Sequence, residues 1–110
     1  MHSSAEENYL KSIYKLQEAN GEMVATAALA QLLGIHMASV TDMLKKMSTK
    51  KLVAYQKSKG FKLTEKGKQA AIGIIRKHRL WEVFLVDKLG FRWDEVHDIA
   101  EQLEHIHSQD

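Results

Sequence analysis

The chain has 110 residues, 45% of them hydrophobic and 27% charged, with no cysteine and no proline. That length suits one compact unit around a single core, and the composition excludes a disulfide scaffold, a thiolate metal site and low-complexity disorder. The net charge of +2 hides an asymmetry: residues 1–35 carry −2, residues 36–68 set nine lysines against Asp42 and Glu65 for +7, and residues 69–110 carry −3. The basic middle third is a candidate for binding a polyanion, although a charge run taken alone is as often plain solvated surface. Residues Met1 to Glu7 lack the basic start and apolar run of a leader, and no stretch approaches membrane-spanning length. The chain is read as soluble and cytoplasmic, with no membrane partner.

Residues 4–20 are predicted as a first helix, with Ser4 as its cap, Glu7 three residues on, and Tyr9, Leu10, Ile13, Leu16 and Gln17 at helical spacing. Thr26 is expected to cap a short helix through Leu33, closed by Gly34. A third helix is predicted from about Met37 to Met47, with Val40, Met43, Leu44 and Met47 inward and Ser39, Thr41, Asp42, Lys45 and Lys46 outward. Joined by Gly34-Ile35-His36, these two helices form a helix-turn-helix pattern. Lys51 to Gln56 has strand composition, Lys57-Ser58-Lys59-Gly60 has turn composition, and Phe61-Lys62-Leu63 resumes the alternation, which predicts a basic-tipped hairpin. Thr64 opens a long helix that Gly90 stops, and Trp93-Asp94-Glu95 begin the last one. The expected fold is mainly α: a winged helix-turn-helix with a small β-hairpin wing over residues 1–68, then a helical region over residues 69–110.

In a winged helix the second helix of the motif enters the major groove and the wing touches the DNA backbone. Here the groove end would be Met37, Ala38, Ser39, Thr41 and Asp42, where small side chains permit close approach and the hydroxyls can donate to phosphates or base edges. Ala38 and the Thr41 methyl could meet a thymine methyl. Lys45, Lys46, Lys50, Lys57, Ser58 and Lys59 are the candidate phosphate contacts, with an affinity that falls as salt rises. Asp42 fits least easily: it could accept from a cytosine amino group, or pair with Lys45 or Lys46.

The last segment carries a different chemistry. At about 100° per residue, His97, Glu101, Glu104 and His105 fall within an arc of about 100° on one helix, beside an apolar stripe of Ile99, Leu103 and Ile106. His78 and Glu82 form an i, i+4 pair on the long helix, and antiparallel packing could bring them opposite His97 and Glu101. Glu6, Glu7, Asn8 and Lys11 of the first helix could reach the same place. Imidazoles and carboxylates without sulfur suit Mn²⁺ or Fe²⁺ better than a closed structural zinc site. Any one of these residues alone would be read as a satisfied histidine or a solvated acid; together, on two helical faces, they predict a divalent metal site.

Glu7 to Tyr14, Ser39-Val40-Thr41, Gly60 to Gly67, Arg76 to Glu82 and Val96 to His105 resemble the diphtheria toxin repressor and manganese transport regulator family, over nearly the whole chain. The resemblance implies a metal-activated, homodimeric repressor of metal-uptake genes that binds a palindromic operator, with residues 69–110 as metal-binding and dimerisation region. It implies His78, Glu82 and His97 as ligands of one site, and Asn8, Glu101, Glu104 and His105 as ligands of its neighbour. Iron-sensing members have methionine and cysteine where Asn8 and Glu101 stand, and manganese-sensing members have aspartate and glutamate. Glu101 thus favours Mn²⁺, with Fe²⁺ next. Lys11 stands where manganese sensors carry a further acid, which would weaken or remove one of their two metals. Family members continue past Asp110 with more helix and often a further small domain, so the chain is expected to be a truncated piece with an incomplete dimer interface.

Two other readings compete. A metal-independent winged-helix regulator or protein-contact module would make the histidines structural. A metalloenzyme would use the same donors to activate water, but no nucleophile motif or substrate-binding loop accompanies them, so the chain is read as a non-enzyme without a small-molecule substrate.

Overall fold

The computed structural model describes residues 3–56, 59–90 and 92–105. In chain order the elements are α1 (Ser4–Asn20), α2 (Thr26–Leu33), α3 (Met37–Thr49), β1 (Val53–Gln56), β2 (Gly60–Leu63), α4 (Glu65–Leu89) and α5 (Trp93–Leu103). The expected order of helices and hairpin is present. Among the described residues no single helix is long and apolar enough to cross a membrane.

The ends of the elements differ from expectation in instructive ways. Ser3, not Ser4, caps α1: its hydroxyl accepts from the Glu6 amide while Glu6 accepts from the Ser3 amide, a reciprocal box one residue earlier than predicted. Ala25 rather than Thr26 precedes α2, which starts without a side-chain cap. Helix α3 runs one half-turn past Met47 to Thr49. The strand begins at Val53 because Lys51 adopts a left-handed φ of 63°, which breaks extended geometry between α3 and the hairpin. Helix α5 ends at Leu103, so Glu104 is its C-cap and His105 lies beyond it.

The hairpin pairs Val53 with Leu63 and Tyr55 with Phe61, and Val24 adds a third rung by exchanging both backbone hydrogen bonds with Phe61. Gly60 permits that rung. Its φ is +105°, and a Cβ there would stand 2.3 Å from the Val24 carbonyl oxygen, a clash no side chain survives.

Two apolar clusters result. The first joins α1, α2, α3 and the hairpin around Leu10, Ile13, Leu29, Val40, Leu44, Met47, Leu52 and Phe61, all fully buried, and takes in Ala71 and Ile74 of α4. The second holds Leu85, Val96 and Ala100 where α4 and α5 pack together, with Trp81, Val86, Ile99 and Leu103 around them. Helix α4 is common to both. Helix α4 packs along α1 as well as α5, and α1 meets the residues after α5 through Glu7 and Lys11.

Candidate metal centre and nucleic-acid interface

The turn at Gly90, whose φ of 74° closes α4 in the left-handed region, sends α5 back along α4. That return places the His78 and His97 rings with centroids 4.9 Å apart. Glu82, one turn beyond His78, sits between them: its Oε2 lies 3.4 Å from His78 Nε2 and 3.7 Å from His97 Nδ1. His78, Glu82 and His97 each offer a ligand atom within 4.8 Å of the others. Two imidazoles and a carboxylate at that spacing have the donor chemistry of a divalent cation site, and His97 also reaches Glu101, with its Nε2 3.9 Å from Glu101 Oε2.

A second group forms where the end of α5 meets α1. His105 Nδ1 is 2.5 Å from Glu7 Oε1, and its Nε2 faces Asn8 Oδ1 at 3.2 Å and Glu104 Oε2 at 3.6 Å. With the proton on Nδ1 and donated to Glu7, the Nε2 lone pair points into the space those two oxygens share. That is how a carboxylate orients a ligating histidine. Glu7 is 2% exposed and Glu104 is fully buried, so both carboxylates depend on these partners.

Glu104 joins the groups. Its Oε1 accepts from His78 Nδ1, and its Oε2 accepts from Lys11 Nζ at 2.6 Å. The same ammonium lies 4.0 Å from Glu101 Oε1. Asn8, Lys11, Ser12, His78, His97 and Glu101, together with Lys15, Leu33 and Ile75, line a cavity of about 280 Å³ at this junction. The next residue of α1, Tyr9, is buried, and desolvation raises its phenol above the ordinary value, so it packs as a neutral ring.

All seven residues implied as ligands by resemblance thus stand at this junction, in two groups. Of the four expected along the last helix, His97 and Glu101 lie within α5, Glu104 is its C-cap in helical conformation, and His105 follows it. The partner that residue-by-residue matching did not assign is Glu7; its place one residue before Asn8 was the available signal. Glu6 points elsewhere. Its carboxylate takes Lys50 Nζ at 2.7 and 2.8 Å, which ties the start of α1 to the C-cap of α3.

On α3, Met37 is 52% exposed, and Ala38, Ser39, Asp42, Lys45 and Lys46 are also exposed, with Thr41 half-buried. They form one outward face because Val40, Leu44 and Met47 are buried on the opposite one. Lys59 is exposed beside the hairpin. Lys50 is half-exposed, and Glu6 holds its ammonium. Lys57 and Ser58 lie outside the described residues.

Comparison with known proteins finds relatives over both parts of the chain. A family model for the N-terminal DNA-binding domain of iron-dependent repressors matches residues 1–61, and one for the metal-binding and dimerisation domain of iron-dependent repressors matches residues 64–110. The chain is 38% identical over 104 residues to the iron-dependent repressor IdeR of Mycobacterium tuberculosis, covering 94% of this chain and 45% of that protein. It is 34% identical over 105 residues to the transcriptional regulator MntR of Oceanobacillus iheyensis, covering 96% of this chain and 70% of that one. A crystal structure of ScaR with bound Zn²⁺ superimposes with a TM-score of 0.81 at 39% identity, over 94% of this chain and 47% of that chain. The chain therefore spans about half the length of several of the proteins it matches.

Proposed function

The chain belongs to the iron-dependent repressor family, whose members are transcriptional regulators rather than enzymes, and on that premise we propose that it is a metal-dependent DNA-binding repressor. Its partners in this reading are a palindromic duplex operator and a second copy of the chain, and it acts in the cytoplasm on metal-uptake genes. A divalent ion is the corepressor, with Mn²⁺ preferred to Fe²⁺ because Glu101 supplies oxygen where a softer ion would favour sulfur.

His78, Glu82 and His97 would hold an ion in one group, and Asn8, Glu101, Glu104 and His105 in the other. When bound, the ion supplies positive charge among carboxylates contributed by three separate helices. The observation that carries the reading is the double engagement of α1. Through Asn8, Lys11 and Glu7 it meets Glu104 and His105, and through Glu6 it grips Lys50 at the C-cap of the exposed helix α3. A change in the seating of α1 on α4 and α5 is thereby felt at the DNA-facing surface. Met37, Ala38, Ser39, Thr41 and Asp42 would read base edges, while Lys45, Lys46, Lys57, Ser58 and Lys59 would contact phosphates; Lys50, first counted with them, is committed to Glu6.

Coupling of this kind is reciprocal, so operator DNA tightens metal binding by the factor by which metal tightens DNA binding. Fluorescence anisotropy on a palindromic duplex selected from a random pool, with and without Mn²⁺ or Fe²⁺, tests it. A metal-dependent rise of about 5- to 150-fold is expected from the usual size of such couplings, and His78→Ala should abolish it while retaining the fold. Equal affinity in both arms overturns the proposal.

A further inference from the structure

Asp42 is the one acid on the face of α3 that turns outward, one turn after Ala38. It is exposed, in the segment that otherwise carries the chain's excess of lysines. Among the described residues it forms no ion pair and no side-chain hydrogen bond with Lys45 or Lys46, so of the roles open to it the neutralising pair on its own helix is not the one taken. Its charge then opposes every phosphate brought near it, and a hydrogen-bond donor on the DNA is what offsets that repulsion. We propose that Asp42 is a specificity-determining residue, its carboxylate accepting from the exocyclic amino group of a cytosine in the major groove. This rests on the DNA-reading role of α3 proposed above.

Hydrogen-bond direction selects the base. An ionised carboxylate only accepts. In the major groove guanine presents O6 and N7 and thymine presents O4, all acceptors, whereas cytosine N4 and adenine N6 donate. Adenine also sets its N7 lone pair beside N6, so a carboxylate that takes the adenine donor meets a repelling acceptor, and cytosine has no such neighbour. The rest of the helix makes this contact the decisive one. Helix α3, MASVTDMLKKMST, contains no arginine, asparagine or glutamine, the side chains that pair in bidentate fashion with guanine or adenine. The Ser39 and Thr41 hydroxyls donate or accept alike, Met37 and Ala38 offer apolar contact, and Lys45 and Lys46 serve phosphate and guanine equally. At the groove end of α3, Asp42 is thus the side chain whose chemistry singles out one base.

The test is selection of duplexes from a palindromic random pool, with Mn²⁺ or Fe²⁺ present, by the parent chain, Asp42→Asn and Asp42→Ala, each checked for fold by circular dichroism. The parent is expected to require cytosine at one position of each half-site, with a loss of about 5- to 150-fold for another base there, the usual cost of one mismatched pair. Asp42→Asn, whose amide both donates and accepts, is expected to move that position to adenine. Asp42→Ala is expected to lose the preference at that position alone, and to bind unrelated duplex at least as tightly as the parent because a repelling charge is gone. The same selected motif in the parent and in Asp42→Ala, whatever their affinities, overturns the proposal and leaves Asp42 a charge that only weakens binding. Should the parent enrich no duplex at all, the DNA-reading function fails and this proposal with it, an outcome distinct from an unchanged motif.

Discussion

The two halves of the molecule are held together by unequal means. Among the described residues the cluster built on the winged-helix half buries fifteen apolar residues from Tyr9 to Ile74, two of them from α4, whereas the α4 and α5 pair buries only Leu85, Val96 and Ala100 in its own cluster. The second half compensates with charge, since Glu104 and Glu7 are buried and paired across elements with His78, Lys11 and His105. It also leaves Leu80 70% exposed, with Val83, Phe84 and Leu89 near half. The lesson is a division of labour. The winged-helix unit has its own core, anchored to α4 through Ala71 and Ile74, while the α4 and α5 pair is thinly cored and relies on polar contacts for its position.

The largest expected consequence of this inequality is at Phe61, fully buried and shared by the hairpin and Val24. Phe61→Ala should lower the unfolding free energy by about 3–5 kcal/mol in urea titration, and a loss within about 0.5 kcal/mol, the range of ordinary surface substitutions, would show that the first cluster is not the stable one. Leu85→Ala should cost less, about 2 kcal/mol, the low end for such truncations, because its cluster is small and can relax around the truncation. Hydrogen exchange should then rise in α5 while α2 and α3 keep their protection; uniform loss across the chain would merge the halves into one cooperative unit.

Ser3→Ala removes the α1 cap and should cost roughly 1 kcal/mol by thermal unfolding. Ser4→Ala should leave stability within about 0.5 kcal/mol, and the reverse order would restore the cap to Ser4. Smallest in stability is the pair Leu80→Lys with Val83→Lys, expected within about 0.5 kcal/mol of the parent in the unfolding of the isolated chain. The same variant should weaken self-association in analytical ultracentrifugation if this exposed apolar face of α4 covers a second copy. Unchanged association would place the dimer contact elsewhere.

Much of this was legible before any coordinates. Gly34 and Gly90 marked helix ends because the left-handed conformation they adopt excludes most other residues, and the inward face of α3 followed from the spacing of Val40, Leu44 and Met47. The boundaries were less legible. Ser3 and Ser4 each stand three residues before a glutamate, and which one caps depends on where Glu6 and Lys50 settle. Lys50 itself reads as one more phosphate contact among nine lysines until α1 is folded against α3.

Periodicity, capping residues and turn glycines are local properties, so the amino-acid order was enough to fix the element sequence, the winged-helix type and the residue types available to bind DNA and metal. Contacts between residues far apart in the chain are another matter. Lys11 and Glu104 are separated by 93 positions, and Glu7 and His105 by 98; no spacing rule relates them. Whether α1 offers the centre a ligand, an orienting carboxylate or a competing cation depends on how it rotates against α4 and α5, which packing of the two apolar clusters sets. The tertiary fold alone brings Glu7 to His105, turns Glu6 to Lys50 at the end of α3, and places Lys11 against Glu104 and Glu101.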